Sequence, residues 1–159
     1  MLFPTTMMVF LLMWIGASPA STGGGIKTST FAIATLNMLS LAKGKDRMEV
    51  FGREIAAISV RRAFAVISLS LIVIGLGIMA ISLFEKDKNL MDIGFECFSA
   101  YSTVGLSLGI TADLANESRL IITAIMFVGR VSMLTIIIAV FRKVKSKNYR
   151  YPTEKLTIN

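Results

Sequence analysis

Residues 16–28 read GASPASTGGGIKT, and residues 99–109 read SAYSTVGLSLG. An offset of 82 positions lays Ser21 on Thr103, Thr22 on Val104 and Gly23 on Gly105. Each stretch follows a short apolar segment and precedes another apolar segment. Gly23, Gly24 and Gly25 leave the backbone free to take positive φ with no side chain in the way. That suits a loop whose own carbonyls or amides face a ligand. The chain therefore reads as an all-α membrane protein built from two copies of one unit: a short helix, a glycine-bearing loop and a spanning helix.

Composition agrees. Of 159 residues, 54% are hydrophobic, and the mean hydropathy of +0.70 suits a bilayer better than a soluble domain. Cys97 is the one cysteine, so no internal disulfide forms. The lack of histidine excludes a zinc site or a Ser/His/Asp triad of the usual kind. The net charge of +7 sits mostly in two basic blocks beside apolar runs. Juxtamembrane charge explains that pattern better than nucleic acid does.

Residues 5–17 form an apolar segment after Pro4. Thirteen helical residues reach about 20 Å, short of the roughly 30 Å hydrocarbon core, so a re-entrant half-helix is expected. A signal peptide is the alternative, given the small residues Ser18-Pro19-Ala20. No Lys or Arg precedes the run, however, and Pro19 sits badly at a cleavage site. Residues 28–42 make a second short helix that ends at Lys43-Gly44-Lys45-Asp46. Asn37, Ser40 and Gly44 make its lower end a poor lipid-facing helix. It reads either as a break lining a cavity or as an ordinary helix end at the cytoplasmic surface.

Residues 43–62 hold Lys43, Lys45, Arg47, Arg53, Arg61 and Arg62 against Asp46, Glu49 and Glu54, and read as a cytoplasmic loop. Residues 63–84 are uncharged and reach about 33 Å, a full span, with Gly75 and Gly77 as a close-packing face. Residues 85–91, whose charges cancel, read as an outer loop. Residues 92–102 form the second short segment, about 16 Å if helical. Residues 111–119 return to the outer surface, and 120–141 span again. The tail, with Arg142, Lys143, Lys145, Lys147 and Arg150, reads as cytoplasmic.

Three sets of residues invite chemistry. Residues 16–28 nearly match the phosphate loop GxxxxGK[ST], but Ile26 interrupts the motif and no βαβ pattern surrounds it. A cation path fits better: an extended Ser102-Thr103-Val104-Gly105 can aim successive carbonyls at one axis. The C-terminal end of the preceding helix, near Ser102 or Ser18, is partly negative and favours a cation. Thr103-Val104-Gly105 opens the potassium-channel signature TVGYG, with Leu106 in place of its tyrosine. A glycine-rich turn between packed helices is the plainer alternative. Arg130 lies mid-way along 120–141, roughly 15 Å from either end. Arginine at a helix centre costs ~2.5–3.5 kcal/mol, so it should face the bundle interior or water, as a functional group or as a static pairing. Glu96, behind the second loop, would tie helix to loop or concentrate cations. Asp92 fits a solvated outer position. Lys27 either lies at the outer surface or pairs with an acid such as Glu96. No nucleophile–base set supports an enzyme.

The stretches GASPASTGGGIKTSTF, DRMEVFGREI, FECFSAYSTVGLSLGIT and MFVGR resemble the Trk/Ktr/HKT superfamily of potassium and sodium transporters, Ktr-type ion-translocating subunits above all, over nearly the whole chain. The resemblance implies four helix–pore-loop–helix repeats around one pore. Residues 1–55 would be the end of the third repeat, 56–144 the complete fourth, and 145–159 a cytoplasmic tail. It implies potassium transport, with sodium as the other candidate ion. The filter would use backbone carbonyls at Ser21, Thr22, Gly23 and Gly24 and at Thr103, Val104, Gly105 and Leu106. A gate would lie at Leu39, Ser40, Ala42 and Gly44, faced by Arg130. Implied partners are the lipid bilayer of the cell membrane, the remaining repeats, a second copy in a homodimer and a cytosolic nucleotide-binding regulatory ring. Two quarters of a ring cannot enclose an ion, so a fragment, a truncated frame or half of a split transporter is expected. The alternative is a non-conducting remnant or assembly partner.

Overall fold

The computed structural model describes residues 3–44, 49–50 and 53–131. These form α1 (Phe3–Trp14), α2 (Thr28–Ala42), a hairpin of β1 (Glu49–Val50) and β2 (Arg53–Glu54), α3 (Ala57–Phe84), α4 (Leu90–Ser102) and α5 (Asn116–Val131). The lower part of the expected span 120–141 and the basic tail lie outside the described residues, as do Lys45, Asp46 and Arg47.

The long helix α3 organises the packing. Its 28 residues extend about 42 Å, enough to cross a bilayer. Only 22% of its most apolar 18-residue window is buried, and Leu71, Ile72, Leu76, Met79 and Leu83 face outward. An apolar helix left this bare needs lipid or further protein around it. The buried stripe is Ala63, Ser70, Ile74, Gly77 and Ile81, one face at helical spacing. The helix begins six residues ahead of the uncharged run. Exposed Arg61 and Arg62 ride its first turns, because a long cationic side chain keeps its head in water while its stem lies on the helix.

The shorter α4 is the most enclosed element, packed by α1, α3 and α5. Ile93, Cys97, Ala100 and Tyr101 join Ile74 and Ile81 of α3 and Ile122 and Ile125 of α5 in one apolar cluster. Gly77 permits the close crossing: a Cβ there would stand 2.4 Å from Ile125 Cδ1. Gly75 has nothing within 4 Å, so only one of the two expected packing glycines packs. Residues two apart on a helix point to nearly opposite sides and cannot share a neighbour. The two short helices meet through Phe10, which sits edge-on to Phe95 and Phe98 at centroid distances of 5.4 and 5.1 Å. Trp14 Nε1 donates to Ser70 Oγ at 3.2 Å, tying the end of α1 to α3.

Beyond the bundle, Glu85 joins α3 to the start of α5. Its Oε1 accepts the Ala115 amide at 2.7 Å and the Ser118 hydroxyl at 3.0 Å. The Ala115 amide bond is the main cause that holds the Glu85 carboxyl below its ordinary pKa, against an opposing desolvation effect.

Candidate functional site

The first glycine loop closes on itself. α1 stops at Trp14, and Ile15 pairs in parallel with Ile26. The Gly16 amide donates to the Ile26 carbonyl at 2.9 Å and the Thr28 amide to the Ala17 carbonyl at 3.2 Å. The Ile15 amide still bonds to the Leu11 carbonyl at 3.0 Å, and beyond it residues 15–17 form a neck against residues 26–28. Pro19 reinforces this, since the residue before a proline is pushed out of helical conformation. At the tip, Ala20 has φ 65° and the Ser21 amide donates back to Ser18 at 3.1 Å, a tight turn.

The second loop springs directly from α4. The Val104 amide reaches the Ser99 carbonyl at 3.0 Å and the Thr103 amide reaches Ala100 at 3.1 Å. This nested pair of bonds ends a helix on a left-handed residue, here Thr103 at φ 54°, ψ 37°. The two loops thus share their place in the order of elements without sharing a backbone conformation: α4 runs up to its loop, and α1 stops short.

The loops touch. The Gly24 amide donates to Thr103 Oγ1 at 2.7 Å. A Cβ on Gly24 would lie 2.8 Å from Thr103 Cγ2 and 3.0 Å from the Tyr101 carbonyl oxygen, so only glycine fits this approach. Val104, Gly105 and Leu106 are exposed, as are Ser21 and Thr22. Gly105, at φ 82°, has nothing within 4 Å of where a Cβ would be.

The first loop's carbonyls already meet cations of the protein. Lys27 Nζ donates to the Gly23 carbonyl at 2.6 Å and to the Ser21 carbonyl at 3.1 Å. The Arg130 guanidinium donates to the Thr22 carbonyl. Lys27 was a candidate partner for Glu96, but it is held within its own loop. Glu96 instead does the first of the two things expected of it. It is buried and accepts from the hydroxyls of Ser107 and, at 2.9 Å, Thr111. Ser107 Oγ in turn accepts the Gly109 amide at 2.9 Å. A recess of about 250 Å³ lies behind this loop, lined by Glu96, Ser99, Thr103, Ser107 and Met126 among others.

Leu39, Ser40 and Ala42 sit in the regular last turns of α2. Gly44 follows at φ 68°, its amide bonded to the Leu41 carbonyl at 2.9 Å. Through Gly44 the described residues leave α2 unbroken to Ala42. The hydrogen bond that the structure gives Arg130 is to the first loop, not to these residues. Sequence reasoning missed the Thr103 hydroxyl and the Lys27 contacts. A threonine directly before Val-Gly gives no hint that its side chain faces a loop 79 residues away.

Residues 3–151 match the family described as TrkH, cation transport protein, and the chain belongs to that family. It is 38% identical over 154 residues to the Ktr system potassium uptake protein D of Bacillus subtilis (strain 168), covering 97% of this chain and 34% of that protein. It is 37% identical over 156 residues to the potassium/sodium uptake protein NtpJ of Enterococcus hirae, covering 95% and 35%. Against the Ktr system potassium uptake protein B of Bacillus subtilis it is 39% identical over 148 residues, covering 93% and 33%. The chain spans about a third of the length of these relatives.

Proposed function

We propose that this chain supplies two of the pore-lining units of a potassium transporter of the cell membrane. In this reading residues 1–55 and 56–144 are a partial third and a complete fourth helix–pore-loop–helix repeat, and 145–159 is the tail. The carbonyls of Ser21, Thr22, Gly23 and Gly24 and of Thr103, Val104, Gly105 and Leu106 replace part of the ion's hydration shell. The observation that carries the reading is the meeting of the two loops at Gly24 and Thr103, with Val104, Gly105 and Leu106 left exposed beside it. Two loops each follow a short helix, and they meet at the C-terminal end of α4.

The charge pattern and the resemblance to Ktr-type transporters supply the rest. The basic segments 43–62 and 142–159 lie in the cytoplasm, and 85–91 and 111–119 lie outside. The rest of the ring comes from the remaining repeats, the assembled transporter is a homodimer, and a cytosolic nucleotide-binding ring regulates it. Potassium is the favoured ion, and sodium is the competitor, as the name of the Enterococcus hirae relative suggests. The fixed charge of Arg130 beside the Thr22 carbonyl opposes a cation and holds the path closed. The end of α2 at Leu39, Ser40, Ala42 and Gly44 is the element that moves with it.

The test is a chimera in which this chain replaces the matching third of the Bacillus subtilis Ktr system potassium uptake protein D, expressed in a host lacking potassium uptake. Growth at low potassium with saturable rubidium uptake supports the reading. A chimera that reaches the membrane in normal amount and carries no potassium favours the alternative, a non-conducting remnant or assembly partner.

A further inference from the structure

Thr103 holds a conformation that its own chemistry resists. Its φ of 54° and ψ of 37° are left-handed, a region that threonine avoids because its branched Cβ crowds the backbone. Glycine is the usual occupant of a helix end of this kind. Such a residue persists only where its surroundings over-determine it. The hydroxyl shows what does so. Thr103 Oγ1 accepts the Gly24 amide at 2.7 Å, and Gly24 is buried.

The rest of the contact is built around that bond. A Cβ on Gly24 would lie 2.9 Å from Thr103 Oγ1, so loop backbone rests directly on the threonine side chain. Gly25, at φ 75°, would place a Cβ 3.2 Å from Ser102 Cα. Loop residues 24–25 are thus pressed onto residues 102–103, the end of α4. Gly23 precedes the contact in one loop and Val104 follows it in the other. A slip at Gly24–Thr103 changes the spacing between oxygens of the two loops. Ion discrimination by carbonyls depends on how many oxygens surround the ion and how rigidly they are spaced.

We propose that the Thr103 hydroxyl is a specificity-determining positioning group that locks the two glycine loops in register and so sets the discrimination between potassium and sodium. This rests on the pore reading above. It assigns the side chain of Thr103 to the neighbouring loop and leaves ion contact to the backbone.

Three substitutions separate hydroxyl from backbone. Thr103→Ser keeps the acceptor, and Thr103→Val keeps the shape without it. Thr103→Gly removes the acceptor while suiting the left-handed backbone best. The first readout is amide hydrogen exchange at Gly24 in the whole chain, in detergent and in choline buffer free of potassium and sodium. The serine variant should exchange within about twofold of the native chain, and the valine and glycine variants about tenfold faster. The second readout is the potassium-to-sodium uptake ratio in the chimera, which should fall at least about fivefold in the valine and glycine variants and hold with serine. Should the valine variant fail to fold, the glycine and serine variants decide. Native exchange at Gly24 in Thr103→Gly overturns the lock. Fast exchange with an unchanged uptake ratio overturns the specificity role. If the native chimera carries no potassium, the pore reading fails, and exchange at Gly24 still decides the lock.

Discussion

Three glycines in the long helices give a graded test of the packing. A Cβ on Gly129 would stand 1.9 Å from the Tyr101 carbonyl oxygen and 2.7 Å from its carbonyl carbon. Both are backbone atoms, so no rotamer relieves the clash. Restoring an ordinary contact means parting α5 from the end of α4 by about 1.5 Å, which opens the packed interface. Overpacking of this kind costs about 3 kcal/mol, and the better helix propensity of alanine returns ~1 kcal/mol, so Gly129→Ala should destabilise by about 2 kcal/mol. A Cβ on Gly77 clashes with the tip of the Ile125 side chain at 2.4 Å, while Ile125 Cγ1 at 3.4 Å and Cys97 Sγ at 3.8 Å are in ordinary contact. That tip can rotate, so Gly77→Ala should lie within about 1 kcal/mol of native. With open space around it, Gly75→Ala should stabilise by ~0.5–1 kcal/mol. Denaturant unfolding in mixed micelles, followed by the fluorescence of Trp14 (the one tryptophan), reads all three. Equal stability of Gly129→Ala and Gly75→Ala would refute the α4–α5 packing described above.

Glu96→Ala leaves Ser107 and Thr111 without their carboxylate and should cost ~1.5–3 kcal/mol; faster amide exchange across residues 104–110 is the expected sign, and native protection there would remove Glu96 as the clamp. Because the folded pKa of Glu85 lies below its ordinary 4.5, its stabilisation is complete above that value and is lost as pH falls through the lower folded pKa. Native protein should therefore lose stability more steeply than Glu85→Gln as pH falls below 4.5, and parallel curves would contradict this. Arg130→Ala in the chimera should raise flux at equal membrane abundance, since it removes the fixed charge from the Thr22 carbonyl; unchanged flux would make Arg130 structural.

Where the sequence carried strong periodic signals, it was legible. The expected helix 28–42 is α2 residue for residue, because Lys27 and Lys43 bound an uncharged run. The end of α1 was misjudged by three residues. Ile15 looks as helical as Trp14 in the sequence, and its isolated pairing with Ile26 turns the chain out of the helix. The early start of α3 was hidden by Arg61 and Arg62, whose charges resemble a loop until they are placed on the exposed face of a helix. At the site, the glycines of the first loop mark a close backbone approach, Gly24 onto Thr103, whereas Gly105 of the second has open space where a Cβ would stand. What sequence could not supply was direction. Nothing in one dimension says that Lys27 turns back to its own loop, that Glu96 reaches forward to Ser107 and Thr111, or that Arg130 meets Thr22. Those choices are made by packing around α4, a helix buried on nearly every side.

In the proposed pore an ion passes where the two glycine loops meet. The most direct measurement is the anomalous signal of rubidium in crystals of the assembled chimera. Rubidium is expected beside the carbonyls of Thr103, Val104 and Gly105, facing Ser21, Thr22 and Gly23. Rubidium bound elsewhere along the transporter, with these two loops empty of ions, would contradict it.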